Sequence, residues 1–436
     1  MPAEDALGYV RLADNLVHRN PLAVAAVTTE PSPFFPPLYP GFLAAIAFVD
    51  ERFRTLLACV GALEFNPIEN TCVLEFGSAI YIQIGLSALT LTLIWISAFV
   101  IFRSTVVAAI SVVFAWGTGR FSEVAVIFLT ENIYLPCFAA ASLMLLLAVR
   151  DNRFWQFIGC GVAIGLAALT RPSAQYASYA ILFILVATGV SAYLSCKSTK
   201  VLVGTMLFVV AYCGTILPWM VRNHLQFDHM ALTKGYASKI LVERLSYNRM
   251  TWSEFAITPL YWLPGPGEAL AKQLFDEVDY RRLGFSAEDS FYRTGVGRDR
   301  AELAGMFSNE ADRMTHLLED RLMNEPVKHI LVTAALSYRG MWIVKYWSLV
   351  AAPTMLFLFA RCFWNRSWRE FAIFLLPGLF MLVFHATITS NVHRYNLILI
   401  PGMALSCGWL VVRLFDMCGI SARLSRRIDN VKLRAD

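Results

Sequence analysis

Long apolar runs separated by short polar breaks dominate the chain, and their lengths set the architecture. A helix crossing about 30 Å of hydrocarbon needs about 20 apolar residues. Gly77 to Phe102 and Ala174 to Cys196 meet that length without a charge. Length and charge together predict nine spans, near 77–102, 104–119, 124–149, 154–170, 174–195, 201–220, 346–363, 370–389 and 394–415. The runs are continuous rather than alternating, which excludes a β-barrel. Between the sixth and seventh spans, Arg222 to Lys328 carries 14 basic and 16 acidic residues, half of the 32 acids in the chain. So polar a stretch predicts a domain outside the membrane. Two smaller features belong outside the spans. Phe34 to Phe48, punctuated by Pro36, Pro37 and Pro40, reads as an interfacial or re-entrant element. Residues 302–325 place Leu303, Met306, Phe307, Met314, Leu317, Leu318 and Leu322 at helical spacing, predicting one amphipathic helix that stops near Pro326.

The expected fold is therefore an all-α polytopic membrane protein with about nine transmembrane helices, interfacial helices, and a mixed or helical loop domain on the non-cytoplasmic side. The divisions are an external segment 1–76, transmembrane helices over 77–221, a loop domain 222–345, further helices over 346–415 and a basic tail 416–436. Composition agrees, since 57% of the 436 residues are hydrophobic and 16% charged, against about a quarter charged in soluble domains.

The net charge of +5 would suit nucleic acid, but its distribution points to membrane topology and to no nucleic-acid partner. Arg103, Arg150, Arg153, Lys197, Lys200, Arg361, Arg366 and Arg369 fall on one side under strict alternation, with the tail residues Arg423, Arg426, Arg427, Lys432 and Arg434. That side is read as cytoplasmic. The N-terminal segment, the large loop and the turns near Arg120, Arg171 and Asn391 then face outward. An outward N-terminus is preceded by no apolar segment, which leads to the expectation of a further helix before Met1. The nine cysteines form no CxxC pair, so neither zinc nor a redox motif is indicated. Cys59 and Cys72 lie outside the spans on the external side, where a disulfide is open to them.

Four solitary arginines, Arg120, Arg171, Arg222 and Arg394, stand at apolar helix ends on the side where basic residues are otherwise scarce. Snorkelling to headgroups accounts for any one of them. Together they suit an anionic headgroup, because the guanidinium fork matches phosphate oxygens. His393 and Tyr395 flank Arg394, and the histidine reads more simply as a headgroup-level residue than as a ligand or proton carrier. Glu131 sits in the apolar run Phe128 to Tyr134 and must be paired or face water. No acidic cluster calls for a metal, although Asp14 and Glu30 leave a divalent ion open.

The order of short motifs resembles the GT-C superfamily of membrane glycosyltransferases, most nearly its family-39 and aminoarabinose-transferase-like branch. The motifs are Asp5-x-x-x-Tyr9 with the pattern through Leu16, Pro36-Pro37-Leu38-Tyr39-Pro40, Thr130-Glu131, and Gly165 through Arg171-Pro172. Pro218-Trp219 with Arg222-Asn223, and Arg394-Tyr395 with Pro401, complete the series. The resemblance implies a sugar moved from a polyprenyl-phosphate carrier to an acceptor at the outer face of a membrane, in a bacterium the inner membrane and its periplasmic side. It implies Asp5 as catalytic carboxylate, with Tyr9, Tyr39, Glu131, Arg171, Arg222, His393, Arg394 and Tyr395 as substrate-binding residues. Arg222 and Arg394 rank first for the carrier phosphate, then Arg171. It also implies membrane lipids and an envelope lipid A, glycan or protein acceptor as partners, no cofactor beyond the donor, and single displacement with inversion. A lipid-linked-saccharide transporter would share the spans and buried charges, but no inverted symmetry is visible. A ligase moving a whole glycan would share the large external loop, yet it does not need Asp5-x-x-x-Tyr9. An inactive member of the same superfamily would keep the order of motifs without the activity.

Overall fold

The computed structural model describes residues 4–18, 33–62, 72 and 77–418, without the side chains of Glu4 and Asp5. Among the described residues the protein is all-helical, with no strand. The first helices are α1 (Glu4–Val17), α2 (Leu38–Val49), α3 (Glu51–Gly61), α4 (Gly77–Phe102), α5 (Thr105–Gly117), α6 (Arg120–Ala125) and α7 (Glu131–Asp151). There follow α8 (Phe154–Thr170), α9 (Ala174–Cys196) and α10 (Lys200–Phe227). The large loop holds α11 (Ala237–Ser246), α12 (Trp252–Tyr261), α13 (Gly267–Leu274), α14 (Glu277–Tyr280), α15 (Phe291–Thr294), α16 (Arg300–Met306) and α17 (Glu310–His316). The chain closes with α18 (Pro326–Gly340), α19 (Ser348–Arg361), α20 (Arg369–Ile388) and α21 (Ile400–Met417).

Six helical segments are long and apolar enough to cross a membrane: Gly77–Phe102, Glu131–Asp151, Ala174–Cys196, Lys200–Phe227, Arg366–Ile388 and His393–Met417. A seventh arises if α18 and the segment Lys345–Arg361, bent by 112°, count as one. The expected second and fourth spans are helices too, but α5 has 13 residues and α8 has 17. At 1.5 Å per residue these reach about 20 and 26 Å, short of a full crossing. The expected third span begins later than its hydropathy suggested. A break after α6 at Ile127–Thr130 turns the chain, so α7 starts at Glu131. Glu131 thus occupies the first turn of a helix rather than its interior, where the positive end of the helix dipole favours a carboxylate by about 0.3–1 kcal/mol.

Close backbone packing joins the central helices. A Cβ on Gly161 would lie 2.5 Å from the Phe208 carbonyl oxygen, and one on Gly165 would lie 2.7 Å from Thr215 Cβ. These glycines let α8 and α10 approach closely, as small residues do between helices in lipid. Phe157, Cys160, Ile164, Ile181, Met355, Phe371 and Met403 fill one continuous core. On the outer face α4 leaves Leu89, Trp95 and Phe99 exposed, an apolar surface suited to lipid.

A second core forms where α1, α2 and α3 pack on the approach to α7, through Ala6, Val10, Tyr39, Leu43, Phe53, Leu57, Phe128 and Leu129. Cys59 and Cys72 are disulfide-bonded and close this unit. The expected amphipathic helix over 302–325 is broken. Between α16 and α17 the chain extends at Phe307, and Pro326 opens α18 instead of ending a helix. Proline suits a first turn, where its missing N–H has no partner to lose. Leu303 and Leu317 nevertheless bury against Leu241, Val242 and Leu245 of α11, so the apolar spacing did report packing.

Candidate functional site

Six separate chain segments converge on one cavity. Tyr9 from α1 and Phe34–Pro36 before α2 form one side. Leu129, Thr130 and Glu131 at the head of α7, and Arg171, Pro172 and Ser173 between α8 and α9, form another. Tyr236 and Ile240 close it from the large loop, and His385, Thr389, Arg394 and Tyr395 from the end of α20 and the following 3-10 turn.

Glu131 and Arg171 form the electrostatic centre. Arg171 Nη1 donates to Glu131 Oε1 at 3.0 Å, with Glu131 only 3% exposed and Arg171 15%. Thr130 Oγ1 donates to the other carboxylate oxygen at 3.2 Å. The Arg171 guanidinium also lies 4.4 Å from the Tyr395 ring centre and 5.8 Å from that of Tyr134. Burial works against its charge, but Glu131, followed by Tyr395 and Tyr134, outweighs that and raises its pKa. Proline after Arg171 cannot continue α8, so the arginine ends at the helix terminus, over the cavity. Arg394 supplies a second cation to the wall. Two guanidinium groups thus stand on one wall, and the guanidinium fork matches phosphate oxygens.

Of the residues singled out in the sequence, Tyr9, Glu131, Arg171, Arg394 and Tyr395 meet here. Tyr39 lies beneath, fully buried, donating to Gln83 Oε1 at 3.0 Å with its ring edge-on to Tyr9 at 5.4 Å. It supports Tyr9 rather than lining the space. Arg222 does not join the wall. It lies within α10, donates to Asn223 Oδ1 at 2.8 Å and stacks on Trp219 at 4.5 Å and Phe227 at 5.0 Å. Arg120 is engaged elsewhere as well, with the Ile343 carbonyl at 2.7 Å and Glu123 at 2.5 Å. His393 lines a different cavity, with Arg339 and Trp262. Asp5 stands in the first turn of α1, four positions before Tyr9, and its side chain lies outside the described residues.

The structure adds residues that sequence reasoning passed over. His385 lines the cavity and is 1% exposed; a lone ionisable residue in an apolar span was a signal for it. Arg244 and Arg339, both almost fully buried, lie in what reads as a polar loop, where their charge attracts no notice. Arg244 donates to the Ala386 and His329 carbonyls, Asn248 and Thr333, fastening α11 to α18 and α20. Burial pushes its pKa down to about 9. Among the described residues no group of three His, Cys, Asp or Glu side chains is placed to hold a metal ion.

Residues 74–219 match the family described as dolichyl-phosphate-mannose-protein mannosyltransferase. That match supports a membrane glycosyltransferase of the GT-C type. It covers about a third of the chain, from the approach to α4 into α10, and includes Glu131 and Arg171 but not Tyr9, His385 or Arg394. No curated protein matches the chain.

Proposed function

We propose that the protein transfers a sugar from a polyprenyl-phosphate carrier to an acceptor of the cell envelope, at the outer face of a bacterial inner membrane. The observation that carries this reading is the convergence of Arg171 and Arg394, from distant parts of the chain, on one cavity with Glu131, Tyr9 and Tyr395. A sugar phosphodiester carries its own leaving group, so the protein must bind the phosphate, stabilise the charge that grows on it and remove the acceptor proton. The two arginines hold the phosphate oxygens. Glu131 fixes Arg171 in place, Tyr9 shapes the cavity wall, and Asp5 serves as general base towards the acceptor. The isoprenoid tail lies along exposed apolar helix surfaces, which require no charge.

The test is mass spectrometry of carrier-linked sugars from cells lacking the protein and from cells restored with wild type, Arg394→Gln or Asp5→Asn. One polyprenyl-phosphate sugar should accumulate in the deletion, fall with wild type and stay high with either variant. If no carrier-linked sugar responds to the deletion, the transferase reading fails.

A further inference from the structure

His385 lines the cavity wall with one ring nitrogen partnered and the other not. Its Nδ1 lies 3.5 Å from Asn396 Oδ1, while its Nε2 is buried and finds no hydrogen-bond partner among the described residues. The tautomer can be deduced from neighbouring amides. Asn391 Nδ2 donates to the Leu336 carbonyl at 2.8 Å, and a backbone carbonyl only accepts, so the Asn391 amide is oriented. Its Oδ1 therefore accepts from Asn396 Nδ2, at 2.7 Å. That orients Asn396 in turn and presents its Oδ1 to His385. An amide oxygen only accepts, so His385 Nδ1 carries the hydrogen and Nε2 keeps a bare lone pair. The Thr389 hydroxyl, donating to the His385 carbonyl at 2.7 Å, secures the same turn.

A buried acceptor without a donor is costly, and this one belongs to a residue of the wall that also holds Arg171 and Arg394. Those cations supply donors for an anion but no acceptor for a hydroxyl. We propose that His385 Nε2 accepts a hydrogen bond from a hydroxyl of the sugar whose phosphate the two arginines hold, making it a specificity-determining residue. This rests on the phosphate reading above and adds to it a donor-requiring contact. A ligand with phosphate alone leaves Nε2 unsatisfied; a sugar phosphate satisfies it.

Two measurements test the proposal on the full chain in nanodiscs. Nitrogen-15 NMR of labelled histidine reads the tautomer without any ligand, and a His385→Asn sample assigns the signal. A protonated Nδ1 with a bare Nε2 is expected; a protonated Nε2 overturns the proposal. Binding is then measured with two probes, inorganic phosphate and α-D-mannose 1-phosphate. His385→Asn keeps a side chain able to meet Asn396, and His385→Gln places an amide oxygen near the Nε2 position. Sugar-phosphate affinity should fall about 10- to 100-fold in His385→Asn and stay within a few-fold of wild type in His385→Gln. Phosphate affinity should not change in either. If both variants weaken both probes equally, the His385 contact is refuted while the arginine site stands. If wild type binds neither probe, the phosphate reading falls, and this inference with it.

Discussion

Removing the Glu131 charge should destabilise the protein more than the loss of one ordinary hydrogen bond. At 3.0 Å and an effective dielectric of about 20, the attraction between the two charges is about 5.5 kcal/mol. Both partners are largely withdrawn from water, so each has also lost hydration, and breaking such a pair from one side costs about 3–5 kcal/mol. Glu131→Gln should sit near the low end, because Tyr395 and Tyr134 still embrace the Arg171 guanidinium. Arg171→Met should cost more, since it leaves a carboxylate 3% exposed with Thr130 as its one side-chain donor among the described residues. The double variant leaves no lone charge and should cost less than the two single changes added together, by about 3 kcal/mol. Denaturant unfolding followed by tryptophan fluorescence in bicelles would give the cycle. Additivity within about 0.5 kcal/mol would refute the claim that this pair is the electrostatic centre of the cavity.

Three further outcomes are expected. Gly340→Ala places a Cβ 2.4 Å from Asn391 Nδ2 and 2.7 Å from Asn396 Nδ2, so it should cost about 1–3 kcal/mol and weaken mannose 1-phosphate binding with it; unchanged stability would show that those amides are not held there. Cys59→Ser opens a disulfide between residues 13 apart, with an expected loss of about 3 kcal/mol, and a non-reducing gel of protein taken directly from cells should show the bond if α3 faces an oxidising compartment. Asp14 has its pKa raised by burial, against His18, so above about pH 4 the unfolded chain loses this proton first and folding stability falls as pH rises to the folded pKa. Asp14→Asn should remove that part of the decline and make the protein more stable at pH 7, read as an upward shift in Tm; a downward shift would contradict the sign.

Apolar length found the helices because hydrocarbon demands it, and every expected span contains one. Their ends were harder to place. Ile127, Phe128 and Leu129 are as apolar as a span, yet they turn the chain before α7 and bury their side chains partly against α1–α3. The resulting first-turn position of Glu131 depends on tertiary packing that hydropathy does not carry. The arginines divide for a similar reason. Arg120 has Glu123 three residues away and Arg222 has Trp219 and Asn223, so both find partners locally. Arg171 meets a carboxylate forty residues away, and nothing in its immediate sequence shows that partner.

His385 exposes the difference between an unusual residue and an informative one. Histidine within Phe371–Ala386 is conspicuous because its neighbours are apolar, and that alone warranted attention. Its chemistry, however, follows from Leu336, Asn391 and Asn396, which arrive from α18 and from the turn after α20. Only their joint arrangement decides which ring nitrogen is protonated. A charge rule can pick out cations for a phosphate, since Arg is charged wherever it lies. Hydroxyl recognition by a neutral ring depends instead on the orientation of two amides, and it emerges only once the fold has brought them together.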